Sequence, residues 1–152
     1  MLQLRSMIIY LDTNVWSRPF DRPSKRIIEE TIAFFGILER AFKGELKIVS
    51  SVVLEAEISN IDDRDKKVAT ERLMAMFSSK KVYTISSSKV REIKESTGLK
   101  LPDAAHLACA IEAECKYFIT CDEEIVKRGK DLEQLYGLKI YNPVKFTNIG
   151  DE

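Results

Sequence analysis

The feature that most constrains this chain is an alternation: short apolar runs of strand length are separated by longer segments whose apolar residues recur with helical period. "IIYL" (Ile8 to Leu11, with the strand starting at about Met7), "LKIVS" (Leu46 to Ser50), "KVYTI" (Lys81 to Ile85), "YFIT" (Tyr117 to Thr120) and "LKIYN" (Leu138 to Asn142) read as strands. Between the first two, Ile28, Ile32, Phe35 and Phe42 are spaced by four, three and seven, one face of a long helix that Gly44 stops. Ser51 suits the N-cap of the next helix, with Ile58 and Ile61 as core contacts. "DDRDKK" begins a helix carrying Val68, Leu73, Met76 and Phe77, and "SSSKVREIKESTG" a short one closed by Gly98. "LPDAAHLACAIEAE" puts Pro102 at a first helical position, with Ala104, Leu107, Ala108 and Ile111 on its apolar face. A last helical segment runs from about Glu123 to Tyr136. Strands alternating with helices imply right-handed crossovers and a mostly parallel sheet with helices on both faces. The expected fold is therefore α/β: one domain over residues 1–152, with a core over about 7–146 and a central sheet of four to five strands.

Composition narrows the function. At 152 residues and 45% hydrophobic content, the chain supports one core. Its 24 lysines and arginines balance 24 aspartates and glutamates, so no net charge draws it to nucleic acid or membrane, and only a local basic patch would do so. No apolar stretch nears the roughly 20 residues of a membrane helix, and the start lacks a secretory pattern, so the expected location is cytoplasmic. Whether Met1 or Met7 begins the native chain stays open. Three cysteines, Cys109, Cys115 and Cys121, and a single histidine, His106, argue against a disulfide framework or a zinc site.

In an open parallel sheet, functional groups gather at the carboxyl ends of the strands. Asp12 follows the first strand, Asp122 follows "YFIT", Glu55 and Glu57 lie on the helix leaving "LKIVS", and Asp103 sits in the first turn of a helix. Carboxylates brought together repel one another unless a proton or cation neutralises them. Oxygen ligands with little histidine or cysteine suit magnesium or manganese, which can activate water and offset charge developing on a phosphoryl group. Phosphodiester hydrolysis is the reaction such a set fits.

Each acid alone has a plainer reading. Asp12 would cap a turn, Asp103 would favour the positive end of a helix, Asp122 would be an N-cap, and Glu55 and Glu57 would be exposed helix charges. Their convergence on one edge of the sheet carries the argument. His106 shares a helix face with Asp103, which allows a proton-transfer or phosphate-contact role, but within "DAAHLACA" a packed residue is the stronger reading. The cysteines read as small core or interface residues.

"YLDTNVW", "SSVVLEAEI", "LPDAAHLACA" and "YFITCDEEI", in this order, resemble the four acidic motifs of the PIN-domain ribonucleases, most of all the VapC-type toxins of prokaryotic toxin–antitoxin pairs. The resemblance spans nearly the whole chain. It implies a magnesium-dependent endoribonuclease whose metal is held by Asp12, Glu57 (or Glu55), Asp103 and Asp122, with manganese as a substitute, and it implies a homodimer and a cognate antitoxin. Family spacing counted from Ser51 favours Glu57, while counting from Ser50 falls at Ala56, between the two acids. Glu55 and Glu57 are about 200° apart around a helix, so one of them faces the metal. Thr13, Asn14 and Thr120 match small polar positions of the family and suit hydrogen bonds to the metal-holding carboxylates or a water on the metal.

Trp16 and Phe20, with Arg18 and Arg22 among them, suit stacking on an unpaired base and contact with phosphates, or equally packing against a second subunit or an antitoxin. "DDRDKK" and "KRGK" read as solvated faces, although Lys127, Arg128 and Lys130 follow Asp122 closely enough to guide a phosphate backbone. Two further readings belong to other classes. A phosphoacceptor domain would want an acidic pair at the end of the first strand, where "YLDTN" offers one acid. A catalytically silent PIN-like module would use the same fold to hold RNA or a protein.

Overall fold

Residues 7–149 are described by the computed structural model. The choice between Met1 and Met7 turns on residues 1–6, which lie outside that range. Five strands, β1 (Met7–Leu11), β2 (Leu46–Ser51), β3 (Ser78–Val82), β4 (Tyr117–Ile119) and β5 (Lys139–Tyr141), form one sheet in the order β3-β2-β1-β4-β5, every neighbouring pair parallel. The chain starts at the central strand, builds outward to β3, then crosses back to lay β4 on the other side of β1. That reversal is a topological switch point, and the crevice it opens lies at the carboxyl ends of β1 and β4.

Nine helices connect and cover the strands among the described residues: α1 (Thr13–Trp16), α2 (Lys25–Phe42), α3 (Val52–Ser59), α4 (Arg64–Phe77), α5 (Ser87–Thr97), α6 (Leu101–Glu112), α7 (Glu123–Val126), α8 (Gly129–Tyr136) and α9 (Pro143–Thr147). Right-handed crossovers put α2 to α4 on one face and α5 to α8 on the other, because the direction of travel across the sheet reverses after β3. Local chemistry sets their ends. Ser51 accepts the amide of Leu54 and so starts α3. Gly98 closes α5 at φ +73, a left-handed conformation that glycine adopts without strain. Pro102 sits in the first turn of α6. The core is built from β1, β2 and β4 with Phe34, Ile37, Leu54, Ile58, Leu107 and Phe146. No helix among the described residues is long and apolar enough to cross a membrane.

Two sequence expectations are corrected, the third strand and the last helix, and two apolar patterns gain a direction. On α2 the stripe of Ile28, Ile32, Phe35 and Phe42 points outward, Phe42 being 85% exposed, while Ala33, Phe34, Ile37 and Leu38 face the core. Both sets have helical period, and the buried one holds the side that also contacts the sheet. On α4, Met76 is exposed at 74% and Met74 is the buried methionine. The third strand is Ser78–Val82 rather than Lys81–Ile85, because it pairs with β2 on one side only and its polar residues stay in water. The last helical segment is two helices, broken at Lys127 and Arg128.

Candidate functional site

Asp12 leaves the end of β1 and is 4% exposed. Its amide donates to the Ile119 carbonyl at 2.9 Å, which locks it to the end of β4. Its carboxylate is held from three sides: Oδ1 accepts the Thr13 amide at 2.8 Å, and Oδ2 accepts the Thr120 hydroxyl at 2.8 Å and the Asn14 amide nitrogen at 3.3 Å. Asn14 also accepts the Cys121 amide at 3.0 Å, and the Thr120 hydroxyl accepts the Asp122 amide at 3.0 Å. The turn after β1 and the turn after β4 are thus tied together by side chains, and Asp122 is set as the N-cap of α7.

Glu57 arrives from α3. Its Oε1 accepts the Thr13 hydroxyl at 2.5 Å and faces His106 Nε2 at 2.7 Å. Glu55 turns the other way, 47% exposed and paired with Lys81, as their angular separation on a helix requires. His106, 1% exposed on α6, lies 3.7 Å from Asp12 Oδ1 through the same nitrogen, while its Nδ1 meets the Tyr10 hydroxyl at 2.7 Å. One donor atom each from Asp12, Glu57 and His106 lies within 4.8 Å of the others. Asp103 and Asp122 stand outside that tight group but share its field. His106 is therefore a packed residue, as its surroundings in the sequence suggest, and a member of the site as well. Its signal was the shared helix face with Asp103; its partners 49 and 96 residues away were not visible along the chain.

Burial and neighbouring charge shift four groups of the site. Burial pushes the Asp12 carboxyl up, against the pull of His106 and the hydrogen bonds from Thr120 and Thr13. Asp103 is pushed up to about 6, first by burial and then by the charges of Asp12 and Asp122. For Glu57, burial acts upward but is outweighed by the hydrogen bond and charge of His106, so its carboxyl is lowered. For His106, burial acts downward and the Glu57 hydrogen bond with the Asp12 charge outweighs it, raising the imidazole. Two carboxylates with raised affinity for a proton and hard oxygen donors around them are a donor set suited to a divalent cation.

The aromatic and basic stretch after Asp12 is placed differently from its sequence reading. Trp16 is fully buried, edge-on to Phe34 with centroids 5.7 Å apart, so no ring face is open to a base. Arg18 is taken up by Glu30 at 2.8 Å and Asp21 at 3.0 Å, and offers no free guanidinium to a phosphate. Phe20 is 37% exposed and Arg22 is exposed. Lys127, Arg128 and Lys130 are exposed just beyond Asp122. Cys109, Cys115 and Cys121 are free and buried.

Comparison with known proteins gives two findings. The family model of the PIN domain matches residues 9–131. Among solved structures, the crystal structure of VapBC2 from Rickettsia felis bound to a DNA fragment from their promoter contains a chain that superposes with a TM-score of 0.60 at 17% identity, over 90% of this chain and 100% of that one. No curated protein matches the chain in sequence.

Proposed function

Because the chain belongs to the PIN-domain family, we propose that it is a magnesium-dependent endoribonuclease, the toxin of a toxin–antitoxin pair. The observation that carries this reading is the convergence of Asp12 and Glu57, from two different strand ends, to within 4.8 Å at the switch point, with Asp103 pushed up to about 6 beside them. Asp12, Glu57, Asp103 and Asp122 would hold the ion, and manganese would substitute for magnesium. Bound there, a divalent cation supplies activation of water and neutralisation of the charge developing at phosphorus. Thr13, Asn14 and Thr120 keep the carboxylates aimed, and the exposed Lys127 and Arg128 lie where the RNA backbone would pass Asp122.

Protein partners fit the outward face of α2. Phe35, Leu38, Glu39, Phe42, Leu73 and Phe77 line an apolar hollow of about 370 Å³ between α2 and α4, and Ile28 and Ile32 are exposed on the same helix. A face this apolar on a helix suits a protein partner, which under this reading is the antitoxin.

The test is cleavage of a labelled RNA pool with magnesium, manganese or chelator, beside the Asp12→Asn variant. Metal-dependent cutting that the variant loses is expected. Cutting that survives in chelator or in the variant would overturn the assignment. A second reading, a silent module that holds RNA without cutting it, draws on Glu57 Oε1 being satisfied inside the protein by Thr13 and His106. RNA retention with no cleavage in any metal would favour it.

A further inference from the structure

A closed circuit of hydrogen bonds runs beneath the carboxylates. Ser51 Oγ accepts the Leu54 amide at 3.0 Å and thereby starts α3, the helix that carries Glu57. The same oxygen meets the Tyr10 hydroxyl at 2.8 Å; Tyr10 meets His106 Nδ1 at 2.7 Å; His106 Nε2 meets Glu57 Oε1 at 2.7 Å, and α3 leads back to Ser51. Ser51, Tyr10 and His106 are each at most 1% exposed, and Tyr10 is stacked on Phe118 with ring centroids 5.3 Å apart. The circuit joins β1, the end of β2, α3 and α6.

A carboxylate oxygen only accepts, so the hydrogen in the contact with Glu57 Oε1 belongs to Nε2. A ring nitrogen carrying hydrogen has no lone pair to offer a metal. Thr13 donates to that same Oε1, whereas Oε2 takes no hydrogen bond among the described residues. We propose that His106 is the positioning residue of the site: anchored to the sheet by Tyr10 and Ser51, it holds Glu57 by Oε1 and leaves Oε2 as the oxygen that serves the cation. The inference rests on the metal-dependent reading above. It assigns the imidazole a supporting place although its nitrogen lies among the candidate donor atoms.

His106 is the sole histidine of the chain, so selective nitrogen-15 labelling of histidine gives NMR signals from this ring alone. At saturating magnesium, which is diamagnetic, Nε2 is expected to keep its hydrogen. A bare Nε2 on loading would overturn the proposal in favour of direct ligation. Magnesium affinity, followed by calorimetry and by backbone amide shifts at Thr13 and Glu57, is expected to fall roughly 10- to 100-fold in His106→Leu. His106→Gln, whose amide can place a donor near Nε2, should recover most of that loss. Tyr10→Phe, which removes one oxygen and keeps the ring on Phe118, should weaken binding in the same direction and covers the case in which His106→Leu does not fold. Unchanged affinity in His106→Leu, or in Tyr10→Phe where that is the variant that folds, would overturn the positioning role while leaving the metal site standing. If magnesium moves no amide near Asp12 in the unmodified protein, the metal-dependent reading itself fails and this role fails with it.

Discussion

The hydroxyl of Thr120 donates to Asp12 Oδ2 at 2.8 Å, between residues 108 positions apart in the chain. It does so while accepting the Asp122 amide, so one buried oxygen aligns two candidate ligands just past the ends of adjacent strands. Thr120→Val keeps the shape and removes both hydrogen-bonding capacities. The buried carboxylate of Asp12 then loses a donor, with an expected cost of about 1–3 kcal/mol in urea unfolding. Magnesium affinity should fall roughly 10-fold or more, and Thr120→Ser should retain most of both. A valine variant as stable and as tight as the parent would show that the threonine only fills space.

Asp103 makes the metal-free protein sensitive to acid in an unusual direction. Its folded carboxyl is raised from 3.8 to about 6, so the native state binds its proton more tightly than the unfolded chain does. That contribution is fully present below pH 3.8 and is lost as the pH rises through about 6. The full shift corresponds to about 3 kcal/mol, and solvent around this partly exposed side chain reduces it to roughly 1 kcal/mol. In chelator at pH 7.5, Asp103→Asn should therefore be more stable than the parent by thermal unfolding. Added magnesium should reverse that order, and its binding near pH 6 should release protons in calorimetry run in buffers of different ionisation enthalpy.

Glu55 and Glu57, two residues apart, should separate cleanly. Glu55 pairs with Lys81 at the surface, so Glu55→Gln should change stability by less than about 1 kcal/mol and leave magnesium affinity and RNA cleavage unchanged. Glu57→Gln should lose both functions while staying folded. Equal losses in the two variants would sink the assignment of Glu57.

Glu30 is a buried charge on α2, 2% exposed and gripped by Arg18 at 2.8 Å, Arg26 at 3.3 Å and the Asn142 amide at 2.6 Å. Burial alone would raise its carboxyl, but the hydrogen bonds from Asn142 and Arg18 outweigh it and the group is lowered. Removing one partner leaves the others uncompensated, so Glu30→Ala should cost roughly 3–5 kcal/mol. Because Arg26 also donates to the Cys121 carbonyl at 2.7 Å, next to Asp122, the loss should reach the site as weaker magnesium binding. Glu30→Ala as stable as the parent in urea would show that the cluster adds nothing.

What was legible in the sequence, and what was not, follows from the range of the interactions. Strands β1, β2 and β4 announce themselves because buried parallel strands are apolar runs, and the edge strand β5 because Leu138, Ile140 and Tyr141 stand together in a short run closed by Asn142. β3 was displaced because, as an edge strand with one buried residue, Val82, it carries no such run. The outward stripe of α2 was legible as a period but not as a direction, since Ile28, Ile32 and Phe35 repeat on the helix as Ala33, Phe34 and Ile37 do. Asp12, Asp103 and Asp122 could be placed at one edge by topology alone, whereas the separation of Glu57 from Glu55 needed Thr13 and His106 in three dimensions. Trp16 looked like a surface aromatic because nothing local says that Phe34 covers it.

Strand order also decides when the site can exist. β1 is the central strand, yet Asp12 takes one of its hydrogen bonds from Thr120, and Glu57 takes one from His106. A chain still emerging from the ribosome can assemble β1, β2 and β3 with their helices and hold no finished carboxylate pocket. The pocket is finished late, when β4 closes on β1 across more than a hundred residues of intervening chain, the kind of long-range pairing that folds slowly. For a protein proposed to cut RNA, the machine that makes it is itself largely RNA, and this order of strands would keep the proposed pocket unfinished until β4 is in place.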